Sequence, residues 1–303
     1  MKQFDGQIAV KRHGIRSGSI GFDIVIDILM VLLSAVFLYP FLNVIAVSLS
    51  SNQMIVSGQV TFFPKGINTK GYEMLFKGQN IWGSYINTII IAVGATVFNL
   101  VLTTLIAYPL MLPEFVFRKP LSVLLLITML FSGGTVPTYL LIGSLHLYNT
   151  WWSLILPNAI SAFNVFLYRS FFRGISPEIR EAARIDGANE LQILVKIYAP
   201  LSKALYATFG LFSIVGVWNS YFDALLYIED TNKQPIQMIL REIVFSSGIS
   251  NMNDTQQMIS QGSLNPLNVQ YACIIATILP ILLLYPFAQK YFVQGLQVGA
   301  VKG

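Results

Sequence analysis

The sequence predicts an all-α membrane protein with six transmembrane helices. Six apolar runs, at 22–48, 84–111, 120–143, 152–173, 204–228 and 271–292, are long enough to cross a bilayer, which takes about 20 mostly apolar residues. Only 11% of the 303 residues are charged and 54% are hydrophobic, whereas soluble domains carry about 25% charge. The connections at 49–83, 112–119, 144–151, 174–203 and 229–270 are polar or turn-rich, and none is large enough to fold alone. The chain divides into an N-terminal tail, 1–21, and one membrane domain, 22–303.

The first run is longer than the core of a secretory leader, contains Asp27 and lacks a small-residue cleavage site. It is expected to remain as the first span. Asp23 and Asp27 lie near its start, where they can reach the interface, so a proton relay there is not expected. The second run carries Asn87, Thr88, Asn99, Thr103 and Thr104, and the fourth carries Asn158, Ser161 and Asn164. The fifth carries Trp218, Asn219, Tyr221 and Asp223. Such side chains either bond helix to helix or line a path for a hydrophilic cargo. The lining role is favoured for Trp218 and Asn219, with Tyr221 and Asp223 beside them. An ionisable residue within a span, such as Asp223, is a candidate site by default.

Basic residues set the orientation. Lys2, Lys11, Arg12 and Arg16 precede the first span, and Arg118 and Lys119 separate the second from the third. Arg169, Arg173, Arg180, Arg184, Lys196 and Lys203 border or occupy the connection after the fourth, and Lys290 and Lys302 follow near the end of the chain. The opposite side holds fewer bases, offset by acids. Both termini are therefore expected in the cytoplasm of a multi-pass cell-membrane protein, with 49–83 and 229–270 outside.

The connection 174–203 is the most informative stretch. Ser176 is placed to cap a helix that starts at Pro177, where the missing amide costs nothing. Glu178 and Glu181 sit near its positive end, and Gly187 supplies a left-handed residue to close it. Asn189 and Gln192 then form a capping pair for a second helix, expected to end before Pro200. Ala182 and Ala183 keep the first helix thin, so a partner surface can come close. Such a pair of helices either docks on a partner or lies on the membrane surface; mixed charge and the lack of large aromatics favour docking.

Glu181-Ala182-Ala183, followed by Gly187, Ile197 and Pro200 at fixed intervals, resembles the EAA loop of ABC importer permeases. Ala199-Pro200 stands where that loop usually has Leu-Pro. Trp218-Asn219 and the tail ending Gly299-Ala300-Val301-Lys302-Gly303 are similar to the carbohydrate permeases of the maltose type, on their MalG-like side, and WNSYFDALLYI resembles the LplC-like oligosaccharide branch. The resemblance implies a type I ABC importer permease fold, in which Glu181, Ala182, Ala183, Asp186, Gly187 and Pro200 couple to the ATPase. It also implies that Val301, Lys302 and Gly303 reach that subunit. The implied partners are a homologous permease forming a heterodimer, two ABC ATPase subunits, an extracytoplasmic solute-binding protein, a carbohydrate substrate and the lipid bilayer.

No phosphate-binding loop of the G-x-x-x-x-G-K-[ST] form occurs, so ATP and Mg are expected on the partner ATPase and no cofactor on this chain. Ser132-Gly133-Gly134-Thr135 is better explained by packing or a bend. With His13, His146 and Cys273 as the histidine and cysteine complement, no metal cluster is expected. No catalytic set is arranged, and nucleic acid is not an expected partner. A secondary transporter would be expected to show internal repeats and interrupted helices at midplane, and a membrane enzyme a cluster of catalytic groups.

Overall fold

The computed structural model describes the backbone of residues 20–78, 80–245 and 265–300. The tail 1–19 and the expected ATPase-contacting residues Val301, Lys302 and Gly303 lie outside the described residues. Every regular element among the described residues is helical, as the apolar runs predict.

Helices α1 (Ile20–Ser48) and α4 (Ile81–Met111) are continuous and apolar enough to span. Between them lie the short α2 (Asn52–Val56) and α3 (Lys70–Gly78). The third run is divided into α5 (Arg118–Leu130) and α6 (Thr135–Ser144), bent by 118°. Gly134, at φ +85° and ψ 171°, takes a positive-φ extended conformation open almost only to glycine, so the small-residue run makes a bend.

The fourth run departs from the expected continuous span. It forms α7 (Trp152–Ile155), an irregular stretch, and α8 (Ala162–Arg173). Pro157 has no amide with which to continue the ladder. The Asn99 amide donates to the Ala159 carbonyl at 3.2 Å, meeting the need of unwound backbone in a low-dielectric setting. After α9 (Pro177–Ile185), a rod runs from Glu190 to Leu201 as α10 (Glu190–Ile193), a π turn over Leu194–Tyr198, and α11 (Ala199–Leu201). This rod meets α12 (Lys203–Asn219) at 80°. The chain then forms α13 (Phe222–Tyr227), α14 (Ile236–Phe245) and α15 (Pro266–Ala300). The first, second and sixth runs are thus continuous helices, while the third, fourth and fifth are each broken. The 229–270 connection contributes α14, which buries Ile236, Met238, Ile239 and Ile243.

Helix α4 is the central post, in contact with α8, α12 and α14. Three of its polar side chains, Asn87, Thr88 and Asn99, bond backbone outside the helix. Asn87 donates to the carbonyls of Asn232 and Gln234 at 2.7 and 3.2 Å, and Thr88 accepts from the Ile236 amide at 2.8 Å. For these two residues, helix-to-loop bonding is the observed role. One apolar cluster gathers Tyr108, Tyr168, Phe172, Ala183, Ile193 and Tyr198 around the α9–α11 segment. Another gathers Leu75, Ile81, Trp218, Ile239 and Cys273 near α3, α14 and α15. Large side chains along α1 and α5, among them Val31 and Leu130, remain exposed. Contiguous exposure of this kind is unfavourable in water and suited to lipid or to another apolar subunit.

Candidate functional site

The segment after α8 is built as two helices around a rigid joint. Ser176 occupies the capping position of α9 without a side-chain capping bond, and Pro177 starts the helix. Gly187 has φ +82°. The Ala188 amide donates to the Ala183 carbonyl at 3.0 Å and the Gly187 amide to the Arg184 carbonyl at 3.1 Å, the paired bonds of a Schellman closure. Asn189 and Gln192 form the expected reciprocal capping box, with bonds of 3.0 and 2.8 Å.

Besides the missing Ser176 capping bond, two details differ from the sequence expectation. The second helix continues past Pro200 to Leu201; the π turn widens the backbone just ahead of the proline, relieving the crowding that proline imposes on a regular helix. Of the two alanines, only Ala182 is exposed, while Ala183 is buried among the apolar side chains inside the joint. Glu181, Asp186 and Pro200 are exposed, as are the large side chains Ile185 and Leu191.

Arg180 locks this unit to the membrane helices. Its guanidinium donates to Glu190 through two nitrogens, at 2.6 and 3.2 Å, and also to Glu114 in the connection after α4. The Tyr108 hydroxyl, from α4 itself, donates to Glu190 Oε2 at 2.7 Å. The paired Arg180 hydrogen bonds hold Glu190 below the ordinary carboxylate range. Glu114 is lowered first by its own backbone amide and then by Arg180. Hydrogen bonding to Glu190 raises the Arg180 pKa; burial opposes this, and the bond to Glu114 adds to it.

A second feature is an open groove between α8 and α12. Asn99, Asn158, Ser161, Asn164, Ser213 and Asp223 supply polar lining, and Phe163, Phe209 and Phe212 supply aromatic surface. Asn158 donates to Asp223 at 2.9 Å. A smaller recess continues from Asn158 and Asp223 toward Thr88 and Pro235. Amides, hydroxyls and a carboxylate can exchange hydrogen bonds with a polyhydroxylated cargo, while aromatic faces can cover its apolar surface.

The expected path residues separate here. Asp223 lines the groove. Trp218 does not: it is 3% exposed, packs in the α3–α14–α15 cluster, and donates to the Thr277 carbonyl at 3.1 Å. Its large ring and single donor are satisfied by helix packing. Asn219 and Tyr221 are exposed at the break between α12 and α13, outside the residues lining the groove. Asn219 donates to the Val215 carbonyl at 2.9 Å. The node of Arg180, Glu190, Glu114 and Tyr108 carries no signal in the sequence. Arg180 and Glu190 lie on opposite sides of the glycine joint, and Glu114 and Tyr108 come from an earlier part of the chain, so no helical spacing links them.

Residues 88–298 match the family described as "Binding-protein-dependent transport system inner membrane component". The chain is 38% identical to the polygalacturonan/rhamnogalacturonan transport system permease protein YtcP of Bacillus subtilis (strain 168), over 93% of this chain and 98% of that protein. It is also 38% identical to protein LplC of the same organism, over 96% and 98%. Its structure matches a chain from a bacterial ABC transporter involved in import of the acidic polysaccharide alginate, with TM-score 0.86 and 32% identity, covering 91% of this chain and 99% of that chain. These findings bear out the resemblance to carbohydrate ABC permeases and their LplC-like branch.

Proposed function

The chain belongs to the binding-protein-dependent transport system inner membrane components, and on that premise we propose that it forms half of an oligosaccharide path driven by a separate ATPase. One observation carries this reading: α12 lines the polar groove at one end and joins the α9–α11 unit through an 80° elbow at the other. A displacement of that unit is therefore transmitted to the groove through a single helix.

In the proposed assembly, a homologous permease completes the path, two ABC ATPase subunits bind ATP and Mg, and an extracytoplasmic solute-binding protein delivers the glycan. Glu181, Ala182, Asp186, Gly187 and Pro200 form or shape the ATPase-facing surface, with Val301, Lys302 and Gly303 as a second contact. The basic-residue asymmetry supports cytoplasmic placement of both termini. The relative YtcP, named for polygalacturonan/rhamnogalacturonan transport, together with the alginate importer, supports an oligosaccharide cargo.

Asp223→Asn and Asn158→Ala are expected to reduce glycan uptake by about tenfold each, the scale of a lost charge-assisted hydrogen bond. Uptake should be measured at matched levels of assembled complex, alongside ATP hydrolysis. Loss of uptake with hydrolysis retained supports the groove as the path; unchanged uptake in both variants contradicts it.

A further inference from the structure

A group of bases lies apart from the groove, where α5 starts and α8 ends, with Glu114 of the Arg180 node at its border. Two open recesses lie there, and Arg169 lines both. Arg118 and Lys119 line one, and Arg173 lines the other. Arg169 donates a long hydrogen bond to Ser122 Oγ at 3.4 Å, while its buried Nε has no hydrogen-bond partner. Among the described residues, no ion pair joins any of these four bases to a carboxylate. Glu114 borders the recess that Arg118 and Lys119 line but is engaged by Arg180.

A partly buried guanidinium with an unmet donor is costly unless an acceptor or anion joins it, and the positive field of Arg118, Lys119 and Arg173 around Arg169 favours an anion. The surrounding surface identifies the form of that anion. Val116 is 84% exposed and Val123 is 55% exposed, so the charged recess opens beside apolar surface. A free inorganic anion would use only the bases, whereas a phospholipid would use both. Basic recesses between membrane helices on the cytoplasmic side suit anionic headgroups.

We propose that this recess binds the phosphate headgroup of an anionic membrane phospholipid, with Arg118, Lys119, Arg169 and Arg173 around the phosphate and Val116 and Val123 beside the acyl chains. The proposal rests on the membrane orientation and does not depend on the identity of the transported glycan.

Native mass spectrometry of the intact chain, with the subunits that co-purify, tests it by titration with phosphatidylglycerol, phosphatidylcholine and inorganic phosphate. Phosphatidylglycerol is expected to bind at least about tenfold more tightly than phosphatidylcholine and to resist displacement by inorganic phosphate. The double variant Lys119→Gln/Arg173→Gln should weaken it by about thirty-fold, the effect of two bases near a membrane surface. Both side chains are exposed, so this variant remains informative if Arg169→Gln fails to fold. Lys203→Gln is the control for loss of one basic charge elsewhere. Equal retention of the two lipids, unchanged binding by the double variant, or displacement by equimolar inorganic phosphate would overturn the proposal. Failure of lipid selectivity with glycan uptake intact would overturn it while leaving the transport reading standing.

Discussion

Arg180→Gln is expected to loosen the joint between α9 and α10 and to uncouple ATP hydrolysis from uptake. The Arg180 side chain is 12% exposed, whereas Glu114 and Glu190 are 51% and 43% exposed. Breaking a fully buried pair costs about 3–5 kcal/mol; water at these carboxylates reduces the expected loss to about 2 kcal/mol. Arg180→Lys should recover only part of it, because lysine lacks the two-pronged geometry that meets Glu190. Thermal unfolding of the assembled complex and the ratio of uptake to ATP hydrolysis measure the two effects.

The same node predicts an acid response. Glu114 and Glu190 have lowered pKa values in the folded protein, so their stabilising contribution is present above the ordinary carboxylate value and is lost as pH falls through their lowered values. Arg180→Gln should therefore reduce the acid dependence of stability. An unchanged acid limb and unchanged coupling in that variant would contradict the role assigned to the node.

Gly187→Pro is expected to have the larger effect on the joint. Proline fixes φ near −65°, far from the observed +82°, and removes the amide that donates to Arg184. The expected loss is about 3 kcal/mol or more. Space is not the obstacle, since a Cβ at this position would meet nothing within 4 Å. Gly187→Asn should therefore retain more activity than Gly187→Ala, because asparagine tolerates the left-handed conformation better. Equal uptake by the proline and asparagine variants would show that this conformation is dispensable.

The helix joint was legible because its determinants are local. Pro177, Gly187 and the Asn189–Gln192 pair each act within one helical turn, and the structure gives each the expected backbone role; only the Ser176 side-chain bond is missing. The groove was only partly legible. Asn158, Ser161, Asn164 and Asp223 stood out as polar residues within apolar runs, but which ones face open space depends on tertiary packing. Trp218 illustrates the limit: its position beside Asn219 suggested lining, whereas contacts with α15, far along the chain, bury it. In the fourth run Pro157 marks the break locally, but its support by Asn99 of α4 depends on tertiary packing.

In the proposed assembly, the exposed tip of the α9–α10 joint lies in the cytoplasm and meets the ATPase. Ile185→Cys tests it directly, since Ile185 is 86% exposed at that tip and the native Cys273 is buried. In intact cells, the introduced cysteine should resist a membrane-impermeant thiol reagent and react after permeabilisation. In inside-out vesicles, a short thiol cross-linker should join it to the ATPase subunit and stop ATP-driven uptake. Labelling from outside intact cells, or efficient uptake after complete modification with no ATPase cross-link, would contradict the account.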